Sequence, residues 1–389
     1  MMNWLRPYVF VLTLHLLACG DIVEQPPPPK IPKPEYDHPC LEDVVSAFEA
    51  VPSDGERLAF WSGDVDDQSG PIPWPRYTNT ASNSLGFNNH FQGVQRLRNS
   101  SYLAVTGSDV HSGVAHLFLV HLASRSAIGR WGSNLVFATH PKNPSETVEQ
   151  PIPGDMVVTR VDLDTVLWHA GGLSTLGHLL AIPIDHGDDR SKVVFYDASD
   201  PTNLIRLQPT IERAASRAAA VAVTRLPDGR YLAAVRSSTE YDFYVSRSDD
   251  FLDGFDSDSF VRWDRGGVLP ELRATSNLQN INFLNQCDGS LFMIGFRHTS
   301  PAAPTLPGQN VAYLFKVVFP DGDYSQVPDI EQVGRKVMSC SDSQCNFDAA
   351  AGAFITDDAE LLVYGAAHYR HPLLDDVNPQ PTVVRFKEF

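Results

Sequence analysis

The chain has 389 residues and carries 47 acidic against 30 basic side chains, a formal net charge of −17. Phosphate backbones repel such a charge, so nucleic acid is excluded as a partner, and so is docking on an anionic membrane through a basic patch. Glycine (26) and proline (29) are plentiful and long helical periodicities are nearly absent, so the chain reads as strands and turns.

At the N-terminus, Arg6 precedes an apolar run from Tyr8 to Leu17 that is too short to span a bilayer. The run ends in Leu16, Leu17, Ala18 and Cys19. This segment resembles the lipobox of bacterial lipoproteins. The resemblance implies cleavage before Cys19 and a diacylglycerol thioether on its sulfur, with the lipid bilayer as partner. Gly20 rather than Asp follows, which in enteric bacteria favours the outer membrane. The other reading is an ordinary secretory signal whose cysteine is incidental. Next comes a proline-rich stretch, Gln25 to Pro34, which favours extended polyproline II. From Cys19 to Pro39 it reaches roughly 60 Å. The expected division is therefore a signal peptide (1–18), a tether (19–40) and one folded domain (41–389).

A unit then recurs along the domain: a first strand, a tight turn, a second apolar strand, a polar loop, a third strand and a weaker fourth. The first strands begin at Phe91, Ala170, Ala218, Asn280 and Ala349. The second strands are Ser101–Thr106, His178–Pro183, Arg230–Val235, Ser290–Gly295 and Glu360–Gly365. Turn dipeptides precede four of them, at Asn99-Ser100, Asp228-Gly229, Asp288-Gly289 and Asp358-Ala359. Third strands follow at 115–120, 192–196, 241–245, 312–317 and 382–386, and fourth strands at 204–207 and 260–263. Three of the first strands are runs of Gly and Ala, which have poor strand propensity. Crowding explains them: innermost strands that converge on an axis leave room only for small side chains.

Five such units predict an all-β fold, a five-bladed β-propeller closed by Leu58–Trp61 as the outer strand of the last unit. The alternatives are a six-bladed propeller, with 135–161 as the extra blade, and a pair of β-sandwiches. Three stretches carry a resemblance to uncharacterised secreted bacterial propeller proteins: His169–Gly172 with Phe195–Pro201, Gln279–Asn282 with Gln286–Gly289, and Phe347–Gly352. The resemblance implies a propeller and brings no activity with it.

Four cysteines follow Cys19, and export permits disulfides. Cys340 and Cys345 close a short loop and are expected to bond each other. Cys287 sits at a turn on the opposite face from that loop. The spacing does not suit zinc.

Strand order puts the starts of first strands and the loops after second strands on one face, here called the mouth. Near the first-strand starts stand His90, His169, Arg217, Asn280 and Asp348. The loops open with Asp109 and His111, Asp185 and His186, Arg236, Arg297 and His298, and His368 with Arg370 and His371. The far face carries mainly Asn, Asp and Gly turns. Such a concentration of His, Asp and Arg suits a ligand site. His169 and Asp348 are the best candidates for a metal such as calcium, because near-axis positions leave little room for idle polar groups. Asp185–Asp189 and Asp249–Gly254 look like calcium loops but lack the spacing.

Three functions fit. The first is a monomeric tethered module that binds a glycan, peptide or protein at the mouth. The second is a hydrolase using the same mouth, either metal-dependent or glycan-directed. Propeller glycosidases place carboxylates on several inner strands, whereas here Asp348 alone stands near a first-strand start. The third is a structural subunit of an envelope assembly, which would act through the domain's edge.

Overall fold

A computed structural model describes residues 36–37, 39–63, 90–109, 113–140, 143–186, 190–237, 240–264, 278–299, 308–341, 344–369, 371–372 and 382–389. Cys19 and most of the proline-rich tether lie outside the described residues. The packed domain begins before residue 41. Tyr36 is buried among Leu176, Phe195 and Phe251, and Cys40 is disulfide-bonded to Cys287.

A short helix, α1 (Val44–Ala50), is capped by Asp43, whose side chain accepts from Ser46 N. It buries Val44 and Phe48. β1 (Glu56–Gly63) follows. The first meander is β2 (His90–Arg96), β3 (Tyr102–Asp109), β4 (Val114–Leu122) and β7 (Asp155–Asp164). Between β4 and β7 lies a two-stranded hairpin, β5 (Leu135–Thr139) with β6 (Thr147–Pro151). The segment 135–161 therefore makes no separate four-stranded unit: β7 completes the first sheet by pairing with β4.

In the second meander the first strand is split into β8 (His169–Ala170) and β9 (Ser174–Leu176), followed by β10 (Leu179–Asp185), β11 (Arg190–Asp197) and β12 (Ile205–Ala214). The third is β13 (Ala220–Arg225), β14 (Tyr231–Arg236), β15 (Tyr241–Val245) and β16 (Val261–Trp263). The fourth is β17 (Asn280–Asn285), β18 (Leu291–Thr299), β19 (Gln309–Val318) and β20 (Asp329–Met338). The last contains β21 (Ala350–Ile355), β22 (Leu361–Ala366) and β24 (Thr382–Glu388), with β23 (His371–Pro372) also pairing β24. β1 adds to the outer side of β24, Leu58 opposite Phe386 and Phe60 opposite Val384. The N-terminal strand thus completes the C-terminal sheet, as expected for residues 58–61. A single parallel pair, Trp61 with Met156, joins this sheet to the first.

The turns before second strands follow their chemistry. Gly229 and Gly289 take φ of 90° and 89°, where a side chain would be strained, and their N–H groups close turns onto Leu226 O and Gln286 O.

The core lies between the sheets. One apolar cluster joins the first and second meanders (Leu117, Leu119, Ile182, Val194) and another the second and third (Val193, Phe195, Val221, Tyr231). A third joins the third and fourth (Phe243, Phe283, Phe315), and a fourth the fourth and last together with α1 (Ile294, Phe347, Phe48). The fifth returns from the last to the first (Leu362, Val384, Val94, Phe118). The first strands meet at the centre. β2 lies against β21, β21 against β17, β17 against β13 and β13 against β9. Glycine permits this approach. A Cβ on Gly171 would stand 2.3 Å from Ala219 O, and one on Gly352 would stand 2.1 Å from Val94 O.

Candidate functional site

The mouth is built from the first residues of the inner strands and the last residues of the second strands. Antiparallel pairing brings these together: Asp185 at the end of β10 pairs with His169 at the start of β8. Arg236 at the end of β14 pairs with Ala220 at the start of β13.

Asp185 is fully buried, with His169 Nδ1 3.0 Å from one carboxylate oxygen and Arg217 Nε 3.4 Å from the other. Burial alone would raise the Asp185 pKa. The charges and hydrogen bonds of His169 and Arg217 outweigh it and hold the carboxyl below its usual range. On the other side of the ring, the Gln92 carboxamide NH2 donates to Nε2 of His169 at 2.9 Å and to Nε2 of His90. A chain His90–Gln92–His169–Asp185–Arg217 therefore runs across the mouth through the first three meanders.

Rings frame the chain. His368 meets His90 edge-on with centroids 4.8 Å apart and stacks on Tyr369 at 4.4 Å. Trp168 stands edge-on to His169 and to His186, which is exposed.

A second cluster forms around Asp348, whose carboxylate accepts from His298 N at 2.8 Å. Burial raises the Asp348 pKa, and His298, Arg297 and Arg236 offset this only in part. His298 Nδ1 lies 3.1 Å from Asn310 Oδ1, which also accepts from Phe347 N at 2.8 Å. Arg236 is buried between the clusters. Burial pushes its guanidinium down to about 10 and Arg217 adds to this, against the attraction of Tyr241, Asp185 and Asp348. Asn280 is fully buried at the start of β17.

The sequence candidates thus come together in two linked groups, His90, His169, Asp185 and Arg217 in one and Asp348, His298 and Arg297 in the other. Arg236 feels both. Asp109 and His371 have undescribed side chains, and His111 and Arg370 lie outside the described residues. Among the described residues no three His, Cys, Asp or Glu gather into a group that could hold a metal ion. Asp249–Gly254 is a turn in which Asp250 caps Phe251–Asp253.

Gln92 and Asn310 escaped the sequence reading. Gln92 stands two residues after His90, a spacing that puts both on one face of a strand and could have revealed it. Asn310 carries no such signal, since a polar residue within a third strand looks like any solvated position. Cys340 and Cys345 are bonded as expected.

No protein-family model matches the chain, and no curated protein does. Among solved structures it is similar to the mannose phosphorylase MPT-4 from Leishmania mexicana, at 13% identity and a TM-score of 0.36, covering 88% of this chain and 91% of that one. It is also similar to the Trypanosoma rangeli sialidase, at 11% identity and a TM-score of 0.35, covering 86% and 59%. Fructan 1-exohydrolase IIa from Cichorium intybus follows at 7% identity and a TM-score of 0.29, covering 62% and 57%. The chain spans less than two thirds of the last two. At these TM-scores the likenesses carry no argument about fold or chemistry.

Proposed function

We propose that the chain is an exported, lipid-anchored binding protein whose meanders are the blades of a five-bladed β-propeller and whose mouth takes a ligand. The cyclic order of the interblade cores and the close approach of the inner strands support the ring. One observation carries the function. Asp185, with no solvent exposure, is held charged by His169 and Arg217, and the same His169 is oriented by Gln92. A buried carboxylate costs several kcal/mol to desolvate unless it is paired. Here its partners reach the surface at the mouth, where a ligand meets an imidazole and a guanidinium already fixed in place.

A hydrolase is the second reading, favoured by the His169–Asp185 pair. That pair is the base-and-orienter half of an acid–base device. The binding reading is preferred because His169 Nε2 faces an amide, Gln92, and not a nucleophilic hydroxyl or thiol.

The test is display of the full chain against a glycan array and a peptide library, beside His169→Ala. Ligands retained by the parent chain and lost by the folded variant support the mouth. Equal retention by both refutes it.

A further inference from the structure

We propose that the floor of the mouth, on the central axis, is a subsite for a neutral hydroxyl-rich ligand, a sugar ring or other vicinal diol, held by Asn280 and Gln92. This rests on the mouth as the ligand face and adds the chemistry of what it takes.

Asn280 has no solvent exposure, and among the described residues neither its Oδ1 nor its Nδ2 has a hydrogen-bond partner. Gln92 is 3% exposed, and its Oε1 also lacks a partner, although its NH2 serves His90 and His169. Asn280 lies among the inner strands, and Gln92 precedes Gly93, one of the glycines that Asn280 packs against. Asn280 Oδ1 stands 3.1 Å from the place a Cβ on Gly93 would occupy and 2.4 Å from that on Gly172. The carboxamide of one inner strand therefore lies between two others, in space that only glycines leave open.

The next layer down shows what a satisfied axial amide looks like. Gln95 Nε2 donates to Asn282 Oδ1 at 3.0 Å and to Leu173 O at 3.3 Å. Asn282 Nδ2 donates to Ser174 Oγ at 3.2 Å, and its Oδ1 accepts from Ala353 N at 3.1 Å. That layer is internally bonded apart from Gln95 Oε1. The upper layer, at the mouth, is not. The fold does not need an amide there, because the positions equivalent to Asn280 on β13 and β21 are Ala220 and Ala350, both fully buried.

The unmet groups select the ligand. Gln92 Oε1 and Asn280 Oδ1 require donors, and Asn280 Nδ2 requires an acceptor. A carboxylate only accepts and would leave both oxygens unmet. A metal cation meets oxygens only and would leave Asn280 Nδ2 unmet. A hydroxyl donates and accepts, and two on adjacent carbons span a carboxamide.

The test is saturation-transfer NMR and thermal shift on the full chain with D-glucose, D-galactose, D-mannose and glycerol. D-glucuronate, inorganic phosphate and calcium chloride serve as contrasts. Binding of at least one neutral probe, weakened about tenfold or more by Asn280→Ala while the melting temperature holds or rises, supports the subsite. Gln92→Ala should weaken it likewise, and serves alone if Asn280→Ala fails to fold. Anion or calcium binding in place of the neutral probes overturns the chemistry. If that binding is lost in His169→Ala, the mouth survives as a ligand face. Neutral binding that ignores Asn280 and Gln92, or silence across the panel, overturns the subsite. A drop in melting temperature in Asn280→Ala with no neutral binding marks the amide as structural and also overturns it.

Discussion

Substituting Gly172 by alanine tests the crowded centre directly. An added Cβ would stand 2.3 Å from Gln279 O and 2.4 Å from Asn280 Oδ1, roughly an ångström inside ordinary contact. Neither side yields easily. Gln279 O is backbone, anchored where Gln279 N donates to Phe296 O, and Gly172 is pinned by bonds with Ala219 O and Val221 N. No rotamer change relieves the clash, so two inner strands must separate. Overpacking costs about 1–3 kcal/mol, and a backbone-limited clash belongs at the top of that range. With an unfolding entropy of roughly 2.1 cal/mol/K per residue over roughly 350 residues, 3 kcal/mol lowers the melting temperature by about 4 °C. The control is Gly132→Ala, where nothing lies within 4 Å and the change should fall within about 0.5 kcal/mol. Urea unfolding followed by tryptophan fluorescence measures both. A Gly172→Ala protein as stable as the control would mean that the inner strands do not press on a common centre.

Two further outcomes follow from buried groups. Glu388 accepts from Trp131 N at 2.6 Å and from Tyr364 Oη at 2.7 Å, and burial raises its pKa from 4.5 to about 7 against those bonds. The folded state therefore holds a proton that the unfolded chain releases, so stability falls as pH rises from about 4.5 to about 7 and then levels off. Glu388→Gln should remove that loss, gaining about 3 kcal/mol on the parent chain between pH 4 and pH 8 in urea unfolding. Cys40 and Cys287 are 247 residues apart and Cys340 and Cys345 only five, so replacing the first pair by serine should cost about 5 kcal/mol and the second about 2, read as shifts in the unfolding midpoint.

Much of this architecture is legible in the sequence because strand periodicity and turn chemistry are local. The second strands and the turns at Gly229 and Gly289 stand where the repeat puts them, while the glycine and alanine runs only introduce the first strands: 170–173 spans the break between β8 and β9, and β13 and β21 begin at Ala220 and Ala350. The closing strand was legible too, since a last unit short of one strand must borrow it from the other terminus. The reading failed where structure depends on distant chain. The bond of Cys40 to Cys287 requires that residues 40 and 41 run along the turn after β17, where Leu41 N donates to Asn285 O and Cys287 N to Leu41 O. Nothing near Cys40 announces that route. β7 and β20 were missed as fourth strands because outer strands are half-solvated and alternate only weakly, as in Asp329–Met338. At the site, residue types showed which face is polar. They did not show that Asp185 is enclosed or that Gln92 joins two histidines, since both follow from the register between strands.

The two faces of the domain divide the work. Cys287 follows β17 at its far-face turn, so the disulfide to Cys40 fixes the entering chain on the side opposite His90, His169 and Asp348. A covalent bond there resists pulling better than packing does, because a force on the N-terminal chain that frees Tyr36 is taken up at Cys287 before it reaches α1. Residues 37–41, the described start of the domain, run along the far-face turns at Arg98 and Asn285 and leave the mouth unobstructed. An anchor entering beside His90 would have crossed the space a ligand must use. The Cys40–Cys287 bond therefore keeps the start of the domain clear of the proposed ligand face.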